Sequence, residues 1–311
     1  MGTSKGFFLA VTITSVASLL LGIGTLGAKP DNKPGPQYSV HATDTVLVPK
    51  ITLRSGPSRG GRQKAVGAAT GVLGQTCDGV RYAVIVGISD YPGHTNDLDY
   101  ADDDAVLMTQ VLEQTYGFNS RNIVTLTNRS ATQVSVLGAI STIKGQAGPD
   151  DEVVFIFSGH GMMGIADDGD AEKVDEAIVV NDAYSVFHVA PIWDGQLRSA
   201  FSGFDTDRII FIFDSCMAGG MDDLQAPGRV ILMASSERGY AYEGDEWGHG
   251  EFTYYVAEGI TTGAANIHDY GLDLIYLPPQ VTAEEAFDYA KANCVEDSPV
   301  IADGFPDDLL P

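Results

Sequence analysis

Apolar residues in this chain fall into two textures. From Arg81 onward, short unbroken apolar runs alternate with stretches in which apolar positions recur every three or four residues. The unbroken runs are "RYAVIVGI" (81–88), "NIVTLT" (122–127), "DEVVFIFSGHG" (151–161), "EAIVVND" (176–182), "RIIFIFDSC" (208–216) and "RVILMASS" (229–236). Such runs predict strands covered on both faces. Between them, "DDDAVLMTQVLEQTYG" (102–117) places Val106, Leu107, Val111 and Leu112 at helical spacing, with Gly117 as a stop. "ATQVSVLGAISTIKGQ" (131–146) predicts a second helix with Thr132 as its cap, and "IWDGQLRSAFSGF" (192–204) a short third. Further helices are expected at about 250–262 and 282–293. Strand and helix in alternation predict an α/β fold, a mostly parallel central sheet with helices on both faces. Ligands of such sheets bind beyond the carboxyl ends of the strands.

The pattern fails before residue 77. Residues 1–28 start with a single base, Lys5, and continue as the uncharged apolar run "FFLAVTITSVASLLLGIGTLGA" (7–28), which reads as a signal peptide or a membrane anchor. Residues 29–76 carry the Pro and Gly clusters "KPDNKPGPQ" and "RSGPSRGGRQK" and one strand-like stretch, "TVLVPKITL", and read as a basic pro-segment or linker. The catalytic-sized body is 77–311. Export, secreted or cell-surface anchored, is the expected localisation, and there Cys77 and Cys294 could pair and leave Cys216 free.

Charge sharpens this division. The whole chain carries 42 acids against 18 bases, a net of −24. Residues 29–76 hold seven bases and two acids, whereas 77–311 holds ten bases and forty acids. A body this acidic argues against a nucleic-acid partner, which needs dense Lys and Arg. It suits cationic partners or calcium.

Two predicted strands end in reactive side chains. "VVFIFSGHG" delivers His160 between two glycines, and "IIFIFDSC" (209–216) delivers Cys216 just before Gly219 and Gly220. On parallel neighbouring strands both would emerge at one edge of the sheet. A thiol acts as nucleophile only as thiolate, and histidine is its usual base. Either residue alone is more often structural; the joint pattern, with His160 56 residues before Cys216, points to a nucleophile–base pair.

"YAVIVGISDYPG", "YADDDA", "VVFIFSGHG" and "FIFDSCMAGG", in that order, resemble the caspase-like cysteine peptidases, and within them the metacaspase-like branch. The resemblance implies a three-layer caspase-like fold and a cysteine endopeptidase that acts through an acyl-enzyme. His160 would be the general base and acid, Cys216 the nucleophile, and the backbone N–H groups of Gly161 and Cys216 the oxyanion hole. Asp214 and Asp104, with Ser158, match residues that line a pocket for Arg or Lys, which implies protein or peptide substrates cut after those residues. The pocket cysteine of some relatives falls on Ala101. Met217-Ala218 departs from the usual His-Ser after the nucleophile. No cofactor is required for the chemistry. Calcium, as an activator, would fall by order on Asp175, Asp194 and Asp223, with a fourth position now Gly195. The acidic stretch 167–176 lacks the full EF-hand spacing.

The basic arm offers Arg54, Arg59, Arg62 and Lys64 as a pseudosubstrate removed by self-cleavage, against a plain solubilising linker. Two rivals to the peptidase reading stand beside it. One is a non-catalytic caspase-fold module that binds calcium or protein, and the other a transpeptidase using the same pair.

Overall fold

The computed structural model describes residues 46–48, 51–53, 67–166, 174–182, 190–268, 270 and 280–311. Residues 1–45, and with them the apolar N-terminal run, lie outside the described residues, as do Arg54, Arg59, Arg62, Lys64 and most of the acidic stretch 167–176.

In chain order the elements are β1 (Val46–Val48), β2 (Ile51–Leu53), β3 (Arg81–Gly87), α1 (Ala101–Gln114), β4 (Ile123–Thr127), α2 (Gln133–Lys144), β5 (Glu152–Ser158), β6 (Gly161–Gly164) and β7 (Asp175–Val180). Then come β8 (Ala190–Trp193), α3 (Asp194–Phe201), β9 (Ile209–Asp214), β10 (Arg229–Met233), β11 (Tyr242–Gly244), β12 (His249–Gly250), α4 (Glu251–Thr262), α5 (Ala283–Asn293) and β13 (Val300–Asp303). Six strands form the central sheet in the order β13-β10-β9-β5-β3-β4. Every neighbour pair is parallel except β10 with β13. The α/β fold with a mostly parallel sheet is as the sequence predicts.

Why the strands read as unbroken apolar runs is visible in their pleat. Alternate residues point to opposite faces, and both faces are covered. Val84, Val86, Phe155, Phe157, Phe211 and Phe213 join one buried cluster with Val136 and Ile140 of α2 and Leu197 and Phe201 of α3. Ala83, Ile85, Val154, Ile156, Ile210 and Ile212 join a second cluster with Met108 and Leu112 of α1, Phe252 and Val256 of α4, and Phe287 of α5. The result is three layers. The predicted cap of α2 forms, with Thr132 Oγ1 accepting from the N–H of Ser135 at 3.1 Å.

Three features depart from the reading of the hydrophobic pattern. β6, β7 and β8 form an antiparallel sheet that β1 extends, in the order β1-β6-β7-β8. "TVLVPKITL", read as one strand, is two: β1 pairs with β6 and β2 with β11. Proline lacks the N–H a ladder needs, and Pro49 marks the break. Residues 67–76, assigned by composition to the linker, are bonded to the body. Thr70 and Gly71 N–H donate to Asp308, and Ala68 and Ala69 N–H to Asp288.

Candidate active site

Strand register brings the predicted residues to one edge. Gly87, Ser158 and Asp214 are aligned across β3, β5 and β9. Two residues beyond these ends lie His160 and Cys216. The loops that carry them touch: Gly159 N–H donates to Asp214 O at 3.2 Å. A Cβ on Gly161 would fall 1.9 Å from the carbonyl oxygen of Cys216, so only glycine fits beside the Cys216 backbone.

His160 is held on several sides. Its backbone N–H donates to the Tyr91 hydroxyl at 3.0 Å, and that hydroxyl donates to Val179 O at 3.0 Å. The Tyr91 ring stacks on the imidazole, with centroids 4.7 Å apart. Nε2 lies 2.7 Å from the carbonyl oxygen of Asn96. A carbonyl can only accept, so Nε2 carries the proton, and in the neutral ring Nδ1 holds the lone pair. The ring is therefore set with Nε2–H committed to the Asn96 carbonyl.

Cys216 follows β9 in a turn fixed from both sides. Ser235 Oγ donates to Ser215 O and accepts from Ala218 N–H. Met217 takes φ 59°, a left-handed conformation that costs a non-glycine residue about 1 kcal/mol. Its N–H donates to Gly239 O at 2.9 Å. The Ala241 N–H donates to the sulfur of Cys216 at 3.2 Å. Met217 is buried in the apolar layer beneath α4, so the departure from His-Ser places a hydrophobic side chain in the core.

The predicted pocket residues also meet. Ser158 Oγ donates to Asp104 Oδ2 at 2.6 Å. Asp104, fully buried rather than on a solvated helix end, also accepts from His249 Nδ1 at 3.0 Å and from Gly250 N–H. Asp214 Oδ2 accepts from the N–H and Oγ1 of Thr253, at 2.9 and 2.7 Å. Gly250 and Thr253 belong to the start of α4, so both carboxylates sit at the positive end of one helix.

The three aspartates assigned to calcium sit behind this edge. Asp175 accepts from Ala166 N–H, Asp194 accepts from the N–H of Gly195, and Asp223 is in an ion pair with Arg198 at 3.0 Å. Asp175 and Asp194 are buried at the starts of β7 and α3, and among the described residues neither belongs to a trio of side chains close enough to share an ion. Asp223 does not fit while a guanidinium faces it. Cys77 and Cys294 are unbridged. Cys77 lies 3.6 Å from Asp150 O, while Cys294 caps α5 beside Glu251 and Asp297.

The sequence missed Tyr91 and Asn96. Tyr91 lies inside the motif "ISDYPG", where its bulk and hydroxyl were a usable signal. Asn96 acts through a backbone carbonyl, which any residue would provide.

With this geometry in place, likeness to known proteins can be judged. The fold matches a protein from Geobacter sulfurreducens (TM-score 0.54, 15% identity, covering 73% of this chain and 94% of that one). It also matches the Drosophila initiator caspase Dronc (TM-score 0.50, 13% identity, 85% and 97%). Residues 80–277 match the profile of the caspase domain, and the chain belongs to that family. Its similar curated relatives are fungal metacaspases. Metacaspase-1 of Schizosaccharomyces pombe is 30% identical over 166 residues, 48% of this chain and 36% of that protein. Metacaspase-1 of Ajellomyces capsulatus is 31% identical over 157 residues, 48% and 43%. The chain thus spans about two fifths of the length of these relatives.

Proposed function

We propose that this protein is a cysteine endopeptidase that cleaves after Arg or Lys through His160 and Cys216. The observation that carries this reading is the fixed tautomer of His160. With Nε2–H donated to Asn96 O, Nδ1 is the basic nitrogen of the neutral ring. In the reaction, His160 Nδ1 accepts the Cys216 thiol proton, and the thiolate attacks the scissile carbonyl carbon. The N–H groups of Gly161 and Cys216 stabilise the oxyanion, a contribution of about 10²–10³ in rate per donor. His160 then returns the proton to the leaving amine as the C–N bond breaks, leaving a thioester on Cys216. A water, deprotonated by His160, hydrolyses the thioester and frees the acid product and the thiol.

Asp214 and Asp104 supply the choice of substrate. Buried carboxylates bind a guanidinium by charge-assisted, bidentate hydrogen bonds, and the acidic body draws cationic peptides toward the edge. Calcium would act behind the site, held by Asp175 and Asp194, with Asp223 joining only if it releases Arg198.

The test compares fluorogenic peptides ending in Arg, Lys or Asp, with wild type and Cys216→Ala, across a calcium titration with a chelator control. Turnover of the Arg and Lys peptides alone, lost in Cys216→Ala, is the expected result. Cleavage of the Asp peptide would overturn the specificity, rates flat in calcium would remove the activator, and ligated products would mark a transpeptidase. No turnover of any peptide would favour a binding module.

A further inference from the structure

Asp104 is surrounded by donors of its own. Its Oδ1 accepts from His249 Nδ1 at 3.0 Å and from Gly250 N–H at 3.1 Å. Its Oδ2 accepts from Ser158 Oγ at 2.6 Å and from the same Gly250 N–H at 3.2 Å. A carboxylate offers about four lone-pair sites, and these contacts use them. A guanidinium gripping Asp104 with two N–H groups would have to displace bonds already made. The Asp104 side chain is also only 1% exposed, whereas that of His249 is 22% exposed. The imidazole is the member of the pair that reaches the surface. It is fixed in place: His249 sits opposite Gly244 in the β11–β12 ladder, and its ring stacks on Tyr254 of α4 with centroids 6.5 Å apart. The next residue, Gly250, caps the helix whose Thr253 holds Asp214. An ionised carboxylate only accepts, so His249 Nδ1 carries the proton and the neutral ring has its lone pair on Nε2.

The geometry points to His249 as the specificity-determining residue through which Asp104 reads the substrate. Its Nε2 accepts a hydrogen bond from the Arg or Lys side chain that precedes the scissile bond. This deepens the peptidase reading and rests on it. Asp104 then acts as a positioning residue: it fixes the ring and its tautomer, and a carboxylate on one ring nitrogen makes the other a better donor of its lone pair. Asp214 supplies the opposite charge. Arg and Lys side chains bring only N–H donors, which suit an acceptor nitrogen. An ionised Asp side chain brings only acceptors and finds no donor at Nε2.

The test measures binding, which needs no catalysis. In the full chain with Cys216→Ala and nitrogen-15-labelled histidine, the Nε2 resonance of His249 is assigned by its absence in His249→Asn. It should move when a tetrapeptide amide ending in Arg is bound, and stay in place with a matching peptide ending in norleucine. His249→Asn keeps an N–H donor for Asp104 and has no atom in the place of Nε2, so it separates contact with the substrate from support of the acid. Calorimetry should show the Arg peptide bound at least tenfold more weakly by His249→Asn. Affinity retained in His249→Asn, or an Nε2 resonance unmoved by bound Arg peptide, would overturn the proposal. Equal affinity for the Arg and norleucine peptides, or binding of neither, would overturn it together with the Arg/Lys preference. Binding as expected with no turnover by the chain that keeps Cys216 would leave the role of His249 in place and refute the peptidase reading instead.

Discussion

The N-terminal arm meets the body twice, and the two contacts are built differently. β1 and β2 pair with β6, which follows His160, and with β11, which follows Ala241, and are held by short backbone ladders. Further along, residues 67–75 are stitched to the C-terminal tail by buried carboxylates and a guanidinium. Asp308 accepts from Thr70 N–H and Oγ1, Gly71 N–H and the Tyr270 hydroxyl, at 2.6–2.8 Å. Arg208, at the amino end of β9, donates to Gln75 O and Leu310 O and pairs with Glu152. Glu284 accepts from Leu309 N–H at 2.8 Å. The bonds to Asp308 and from Arg208 are charge-assisted and strong, and removing one partner strands the others. The seam is held by side-chain acids and a guanidinium, whereas β1 and β2 are held by backbone ladders.

That contrast can be broken most forcefully at Asp308. Burial pushes its carboxyl up, but the hydrogen bonds from Tyr270, Thr70 and Gly71 outweigh this and hold it below the ordinary range. Its contribution is present above the unfolded carboxylate pKa and is lost as pH falls through the lowered one. Asp308→Ala strands those donors and should cost about 2–4 kcal/mol. Calorimetry at neutral pH should then show Tm lower by roughly 5–10 °C.

Glu284 sharpens the comparison through pH. Burial, which outweighs the bonds from its own N–H and that of Leu309, raises its carboxyl from 4.5 to about 8, with Asp303 and Asp308 adding repulsion. Between those values the folded chain holds a proton that the unfolded chain has lost, so stability falls as pH rises through that window. Glu284→Gln keeps the acceptor for Leu309 and removes the titration. Urea midpoints should show the variant more stable than wild type at pH about 9, by on the order of 2 kcal/mol, with little difference near pH 5. The smallest effect belongs to the other contact. Leu47→Pro with Thr52→Pro, which places a proline in each of the two short ladders, should lower the unfolding free energy by about 1 kcal/mol. A shift as large as that of Asp308→Ala would erase the distinction.

The central sheet was legible because strands covered on both faces need apolar side chains at every position, as in Val153–Phe157. His160 and Cys216 were legible because strand ends and glycines mark where a side chain can be presented. The buried acids were not. On a chain of 42 acidic residues, Asp308, Glu284, Glu251 and Glu243 look like surface charge. They are buried because each accepts backbone N–H groups from a distant turn: Glu243 from Asp99 and Tyr100, and Glu251 from Val295, Glu296 and Asp297. Backbone donors carry no sequence signature. The same reason hid the Asn96 carbonyl and the short ladders of β1, β2 and β6.

The central claim is that Cys216, activated by His160, attacks a carbonyl presented after a basic side chain. The most direct measurement treats the chain with a peptidyl acyloxymethyl ketone ending in Arg and locates the adduct by mass. The account predicts one adduct, on Cys216, absent in His160→Ala and at least tenfold slower with an Asp-ended reagent. A Cys216 that reacts with iodoacetamide yet never with the Arg-ended ketone would contradict it.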